Sequence, residues 1–138
     1  MRVFLDTNVL VSAFATRGLC EDVFREVVTF HELVVSGTVL TELETVLLQK
    51  VQVPGTMSGD VLEFLLSNAI VAQEPALLSL SISDEADIRI VSEAVSAGAD
   101  VLVTGDEEMA ALGEVEGVGV LSPRQFWEHI RAGTGIQS

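Results

Sequence analysis

The chain has 138 residues, 49% of them apolar, which suits one compact domain with a sizeable core and excludes a disordered tail. Seven basic residues against 21 acidic ones leave a net charge of −14, which cuts against holding nucleic acid by neutralising many phosphates and reads first as a solvated acidic surface. The lone Cys20 excludes an internal disulfide and a cysteine-based zinc cluster, and no uncharged apolar run approaches the roughly 18 residues of a membrane span. A soluble protein of a reduced cytoplasm is expected, since Asp6 arrives too early for the apolar region of a signal peptide. A salt-rich cytoplasm would screen the acidic surface, and the near-absence of lysine fits that weakly.

In chain order, Val3-Phe4-Leu5 is a short apolar run of the buried-strand type. Helical stretches follow after Asn8 and from Leu19 to Val28, where Leu19, Val23, Phe24, Val27 and Val28 share a face. Leu33-Val34-Val35 is a second strand, and Ser36 is placed to cap a helix running to about Val51. Pro54 and Gly55 mark a turn. Ser58 is placed to cap the next helix, which reaches about Asn68 and is followed by a short strand at Ile70-Val71-Ala72. A helix begins at Ser83 or Asp84 and stops near Gly98. Val101 to Thr104 is the clearest strand. Gly105 turns it into a short helix to Leu112, and Val118 to Leu121 is a last, edge strand. Ser122-Pro123-Arg124-Gln125 is a capping box that opens a helix carrying Phe126, Trp127 and Ile130. From Gly133 the chain is expected to fray, so residues 1–138 form a single domain with about 133–138 as a flexible tail. Alternating strands and helices predict an α/β fold, a mainly parallel sheet between two helical layers.

Asp6 directly follows the first strand and Asp106 follows the Val101–Thr104 strand. Ligands of open α/β sheets bind beyond such carboxyl ends, so the two acids can share a site, although each can also be a plain helix N-cap. Asp87 says more. At about 100° per residue with Ile90 at zero, Ala94 falls near about 40°, Asp87 near about 60° and Val91 near about 100°, which puts Asp87 inside the apolar stripe. Asp84 falls at the stripe's edge, where a first-turn cap is the simpler reading, and Glu85, Arg89 and Glu93 fall on the opposite side. A carboxylate on a buried face is costly unless paired or metal-bound, and no basic residue occupies the neighbouring helical positions. On the helix after Ser36, Glu42 and Glu44 border the two edges of the stripe of Val39, Leu43, Val46 and Leu47, and the wheel does not choose between them.

Asp6-Thr7-Asn8-Val9-Leu10 resembles the opening motif of PIN-domain nucleases. Thr41-Glu42-Leu43 resembles their second acidic motif, Asp84-Glu85-Ala86-Asp87 with Ile90-Val91 and Ala94 their third, and Ala99-Asp100-Val101-Leu102-Val103-Thr104-Gly105-Asp106 their fourth. Ser122-Pro123 with Phe126 resembles the family's last helix, so nearly the whole chain is covered. The resemblance is strongest to the toxin components of prokaryotic toxin–antitoxin pairs. It implies a three-layer α/β/α fold and a metal-dependent ribonuclease. Asp6, Glu42, Asp87 and Asp106 would be catalytic and metal-ligating, with Asn8, Thr104 and Asp84 supporting them. RNA is the implied substrate and a protein antitoxin the implied partner, with a homodimer among the open assemblies. A PIN-like module that binds a partner without catalysis is the alternative.

Carboxylates without histidine or cysteine ligands select Mg²⁺ or Mn²⁺, as one or two ions. His31 and His129 lie outside the acidic set and lack the spacing of a metal pair. A receiver-type phosphoacceptor needs a lysine after a late strand, and Lys50 ends an early helix. A haloacid-dehalogenase-type phosphatase needs a second aspartate where Asn8 stands. Arg17, Arg25 and Arg89 are the candidate RNA-contacting cations.

Overall fold

The computed structural model describes residues 1–137. Strand β1 (Arg2–Leu5) leads into helices α1 (Thr7–Ala15) and α2 (Leu19–Phe30), then β2 (Glu32–Ser36) and α3 (Gly37–Gln49). Helix α4 (Gly55–Asn68) precedes β3 (Ala69–Ala72), and an extended segment, 73–84, leads to α5 (Glu85–Ser96). The rest is β4 (Val101–Val103), α6 (Glu107–Ala110), β5 (Glu114–Val115), β6 (Val118–Leu121) and α7 (Pro123–Gln137).

The strands form a sheet in the order β3-β2-β1-β4-β6-β5, parallel throughout except for the β5–β6 pair. Helices cover both faces, in a three-layer α/β/α arrangement. Val3, Phe4, Leu5, Leu33, Val34, Val35, Leu102 and Val103 are accordingly buried without alternation, because neither face of a covered parallel sheet meets water. From β1 the chain winds outward through β2 to β3, then returns across the sheet to place β4 on the other side of β1, with Leu5 opposite Val103. The reversal of strand order at β1 and β4 opens a crevice beyond their carboxyl ends.

Several expectations change in detail. The Val118–Leu121 strand is not the edge, because β5 pairs antiparallel with it through a tight turn at Glu116 and Gly117. Both turn residues have positive φ, 50° and 84°, the geometry of a twisted two-residue hairpin. The cap expected at Ser58 does not form. Helix α4 starts at Gly55 after Pro54, whose φ of −55° is already near-helical, and the Ser58 amide donates to the Pro54 carbonyl at 3.1 Å. Helix α7 spans Pro123–Gln137, which includes most of the stretch expected to fray; Ser138 lies outside the described residues. Its start is as expected: the Ser122 amide donates to Gln125 Oε1 at 2.8 Å, and the Gln125 amide to Ser122 Oγ at 3.1 Å. Glu93, off the apolar stripe of α5, is nevertheless buried, its Oε2 accepting the Thr38 hydroxyl of α3 at 2.8 Å, while segment 73–84 is tied to α5 by the Leu78 amide donating to Ser92 Oγ at 3.0 Å. No helix among the described residues is long and apolar enough to cross a membrane.

Candidate active site

Asp6 and Asp106 each act as a helix N-cap and also face the crevice, so the two readings of them are compatible. Asp6 caps α1, its Oδ1 accepting the Thr7 amide at 2.7 Å. Asp106 caps α6, its Oδ1 accepting the amides of Glu108 at 2.8 Å and Met109 at 3.2 Å. Caps of this kind stand where a strand hands over to a helix, which is also where the crevice lies. Asp84 caps α5, with Oδ1 accepting the amides of Ala86 and Asp87 at 2.8 and 3.2 Å, and it does not line the crevice.

Asp6, Glu42, Asp87 and Asp106 line one open cavity of about 400 Å³, together with Thr7, Asn8, Val11, Ser12, Val46, Ala86 and Ile90. Of the two acids that the helical wheel did not separate, Glu42 lines the cavity and Glu44 does not. Thr104 joins two of the acids. Its hydroxyl donates to Asp6 Oδ2 at 2.8 Å and accepts the Asp106 amide at 3.0 Å. Asn8 is a second joint, since its Oδ1 accepts the Gly105 amide at 2.9 Å while Nδ2 lies 3.5 Å from Asp6 Oδ2. A side chain at Gly105 would press on Asn8, 3.3 Å from a Cβ placed there, so glycine keeps this approach open. The hydroxyl of Thr7 makes a long hydrogen bond of 3.4 Å to Glu42 Oε1. The sequence did not single out Thr7, although its place beside Asp6 in the opening motif was the available signal.

Three of the four acids bind protons more tightly than free carboxylates do. Burial raises Asp6 most, against the lowering effect of its Thr104 and Thr7 bonds, and the nearby Asp106 charge adds to the rise. Glu42 is raised by partial desolvation and then by repulsion from Asp6. Asp87 is pushed up to about 6, by desolvation first and then by the charges of Asp84, Asp106 and Asp6. The crevice thus holds negative charge that its own residues leave uncompensated. Among the described residues no three acidic, histidine or cysteine groups close into a tight cation cage. The donor set nevertheless fits a hard cation. It is all oxygen, it sits where carboxylates repel, and Mg²⁺ characteristically keeps several waters while taking only one or two protein carboxylates.

The three candidate RNA-contacting arginines lie outside the cavity wall. Arg25 pairs with Glu21 at 3.7 Å. Arg89 pairs with Glu74, lies 3.6 Å from Glu93 and donates through Nε to Thr38 Oγ1 at 3.1 Å. Arg17 is exposed between α1 and α2.

A doubly wound sheet with acids at the ends of its two central strands defines the class: an α/β domain with a carboxylate-lined crevice at the switch point. A family model described as PIN domain matches residues 2–108, and the chain belongs to that family. No curated protein sequence matches it significantly. Solved structures that share its fold include two VapBC complexes. VapBC2 from Rickettsia felis, bound to a DNA fragment from their promoter, aligns with a TM-score of 0.62 at 18% identity, over 88% of this chain and 98% of that one. VapBC-1 from nontypeable Haemophilus influenzae aligns with a TM-score of 0.61 at 17% identity, over 90% and 99%.

Proposed function

We propose that this protein is a divalent-metal-dependent endoribonuclease, the toxin of a toxin–antitoxin pair, with Asp6, Glu42, Asp87 and Asp106 as its working residues. The observation that carries the reading is the set of four acids in one crevice, three of them raised by burial and mutual repulsion. Structural acids are normally paired or solvated, and a fold that keeps repelling acids together gives up stability for a use. That weighs against a partner-binding module without catalysis, which the net charge of −14 and the paired arginines would otherwise favour.

Asp6 and Asp106, fixed by Thr104, would hold Mg²⁺ or Mn²⁺, as one or two ions, with Glu42 and Asp87 completing the oxygen set. Such an ion supplies a more acidic bound water and stabilises charge on the phosphate oxygens during hydrolysis. Asp87, on the α5 wall of the crevice, is placed to orient the attacking water. Asn8 and Thr104 keep Asp6 and Asp106 in register, so their effect is on geometry. A protein antitoxin is the proposed partner and the cytoplasm the proposed location.

The test is cleavage of single-stranded RNA and DNA by purified protein with chelator, Mg²⁺ or Mn²⁺. RNA should be cut only with metal, and Asp6→Asn should abolish cutting. Cleavage that persists in chelator, or none with either ion, overturns the reading.

A further inference from the structure

Behind Glu42, away from the crevice, lies a second polar cluster that the reaction does not need as a contact. Glu93 of α5 is buried, with 4% of its side chain exposed, an unusual position for a carboxylate in a chain with seven lysines and arginines to pair with 21 acids. Its Oε2 accepts the Thr38 hydroxyl of α3 at 2.8 Å and lies 3.6 Å from Arg89 Nε. Its Oε1 has no hydrogen-bond partner among the described residues. Arg89 Nε also donates to Thr38 Oγ1 at 3.1 Å, so Thr38, Glu93 and Arg89 close a triangle, and Arg89 extends it to Glu74 in segment 73–84.

The triangle bridges two helices that otherwise hardly meet. Helix α3 packs chiefly on α1 and α4, and α5 on β3 and β4. Each carries one wall of the crevice: Glu42 stands one turn beyond Thr38 on α3, and Asp87 stands two residues before Arg89 and six before Glu93 on α5. A half-satisfied buried carboxylate is destabilising in itself, so apolar packing at this joint would be the simpler way to gain stability. What a directional hydrogen bond adds is a fixed register between the helices.

We infer that Thr38, Glu93 and Arg89 are positioning residues that lock α3 to α5 and so set Glu42 against Asp87 across the crevice. None of the three lines the cavity. Their value for catalysis rests on the nuclease reading, whereas the lock itself does not.

The test therefore has two arms. In a Cys20→Ser background, spin labels are placed at two exposed positions, Glu44→Cys on α3 and Ser96→Cys on α5, and the distance between them is measured by pulsed electron paramagnetic resonance. The parent should give one narrow distance distribution. Thr38→Val, which removes the hydroxyl while keeping the shape, should broaden or shift it. Thr38→Ser should restore it. Glu93→Gln, which keeps an acceptor but loses the charge facing Arg89, serves as the second variant and should broaden it less than Thr38→Val.

In the kinetic arm, an unlabelled Thr38→Val should lose on the order of 10²-fold in kcat, the scale of a misplacement of about 1 Å, with KM for RNA nearly unchanged. Thr38→Ser should recover the activity. A narrow, unshifted distribution in Thr38→Val overturns the lock. An unchanged kcat with a broadened distribution overturns its link to the site. If the parent cuts no RNA, the nuclease reading falls while the distance arm still decides the lock.

Discussion

At Asp87 the chemistry of the site and the stability of the fold are coupled. Its carboxyl binds a proton with a pKa of about 6 in the folded chain, against 3.8 for an unperturbed aspartate. A folded state that holds a proton more tightly than the unfolded chain is favoured below the lower value, and loses that advantage as pH rises through the upper one. Asp87→Asn removes the loss. Without metal, the variant should melt a few degrees above the parent near neutral pH, and the gap should close toward the acid side. It should gain less from added Mg²⁺ or Mn²⁺, because stabilisation by a ligand follows affinity for the folded state. Cleavage should fall by about 10²-fold or more, the scale for losing one electrostatic group at a reacting centre. Melting with chelator and with metal, beside a cleavage assay, checks all of this. A variant that melts well below the parent in chelator, gains as much from metal and still cuts RNA would make Asp87 a structural residue.

The place of Asp87 on the crevice wall was legible in the sequence because a helical wheel needs only local spacing, and an acid inside an apolar stripe stands out. The burial of Glu93, off that stripe, was not legible in the same way, because a wheel sees the sheet beneath a helix but not the neighbouring helix α3, whose Thr38 meets Glu93. Glu42 could not be told from Glu44 by periodicity, since what separates them is the position of α1, whose Thr7 meets Glu42.

At the scale of elements, the junction after β4 is where two strand ends become one site. Thr104 is fully buried and bonds both to Asp6 and to the Asp106 backbone. Thr104→Val keeps the volume and removes both bonds, leaving the buried Asp6 carboxylate with one partner fewer. Cleavage should drop about 10–100-fold, the usual scale for losing a group that orients a metal ligand, and Asp6 should become harder to ionise. Thr104→Ser should keep most of the activity. Equal activity in Thr104→Val would show that the backbone alone sets the acids.

The capping box of α7 is the contrasting case. Ser122→Ala should cost about 1 kcal/mol of stability through the lost cap, read as a lower melting temperature. Cleavage below the melting point should be unchanged, because the box lies outside the cavity wall. The main strands were legible because covered parallel strands are continuous apolar runs. The two-residue β5 was not, since Glu114 and Val115 form no run and gain strand character only by pairing with β6.

Over the whole molecule, charge decides how RNA can be held. The net charge is −14, and two of the arginines considered as RNA contacts are already engaged, Arg25 with Glu21 and Arg89 with Glu74 and Glu93. Freeing either to meet a phosphate would break an existing pair, with little net gain at an exposed site. A chain that contacts phosphates mainly through a bound ion and a few cations releases few counterions when it binds. For a single strand the slope of log affinity against log salt is about −0.7 per phosphate neutralised, so two or three contacts predict a slope of about −1.4 to −2.1. The measurement is RNA affinity across a salt series with magnesium held fixed and a charge-neutralised metal-site variant, Asp6→Asn, alongside. If the ion is the main contact, the variant should bind RNA more weakly at every salt concentration, with a slope no steeper than the parent's. A steep slope would mean that a basic surface assembles on binding, from the arginines or from a partner, and that the acidic crevice is not where RNA is held.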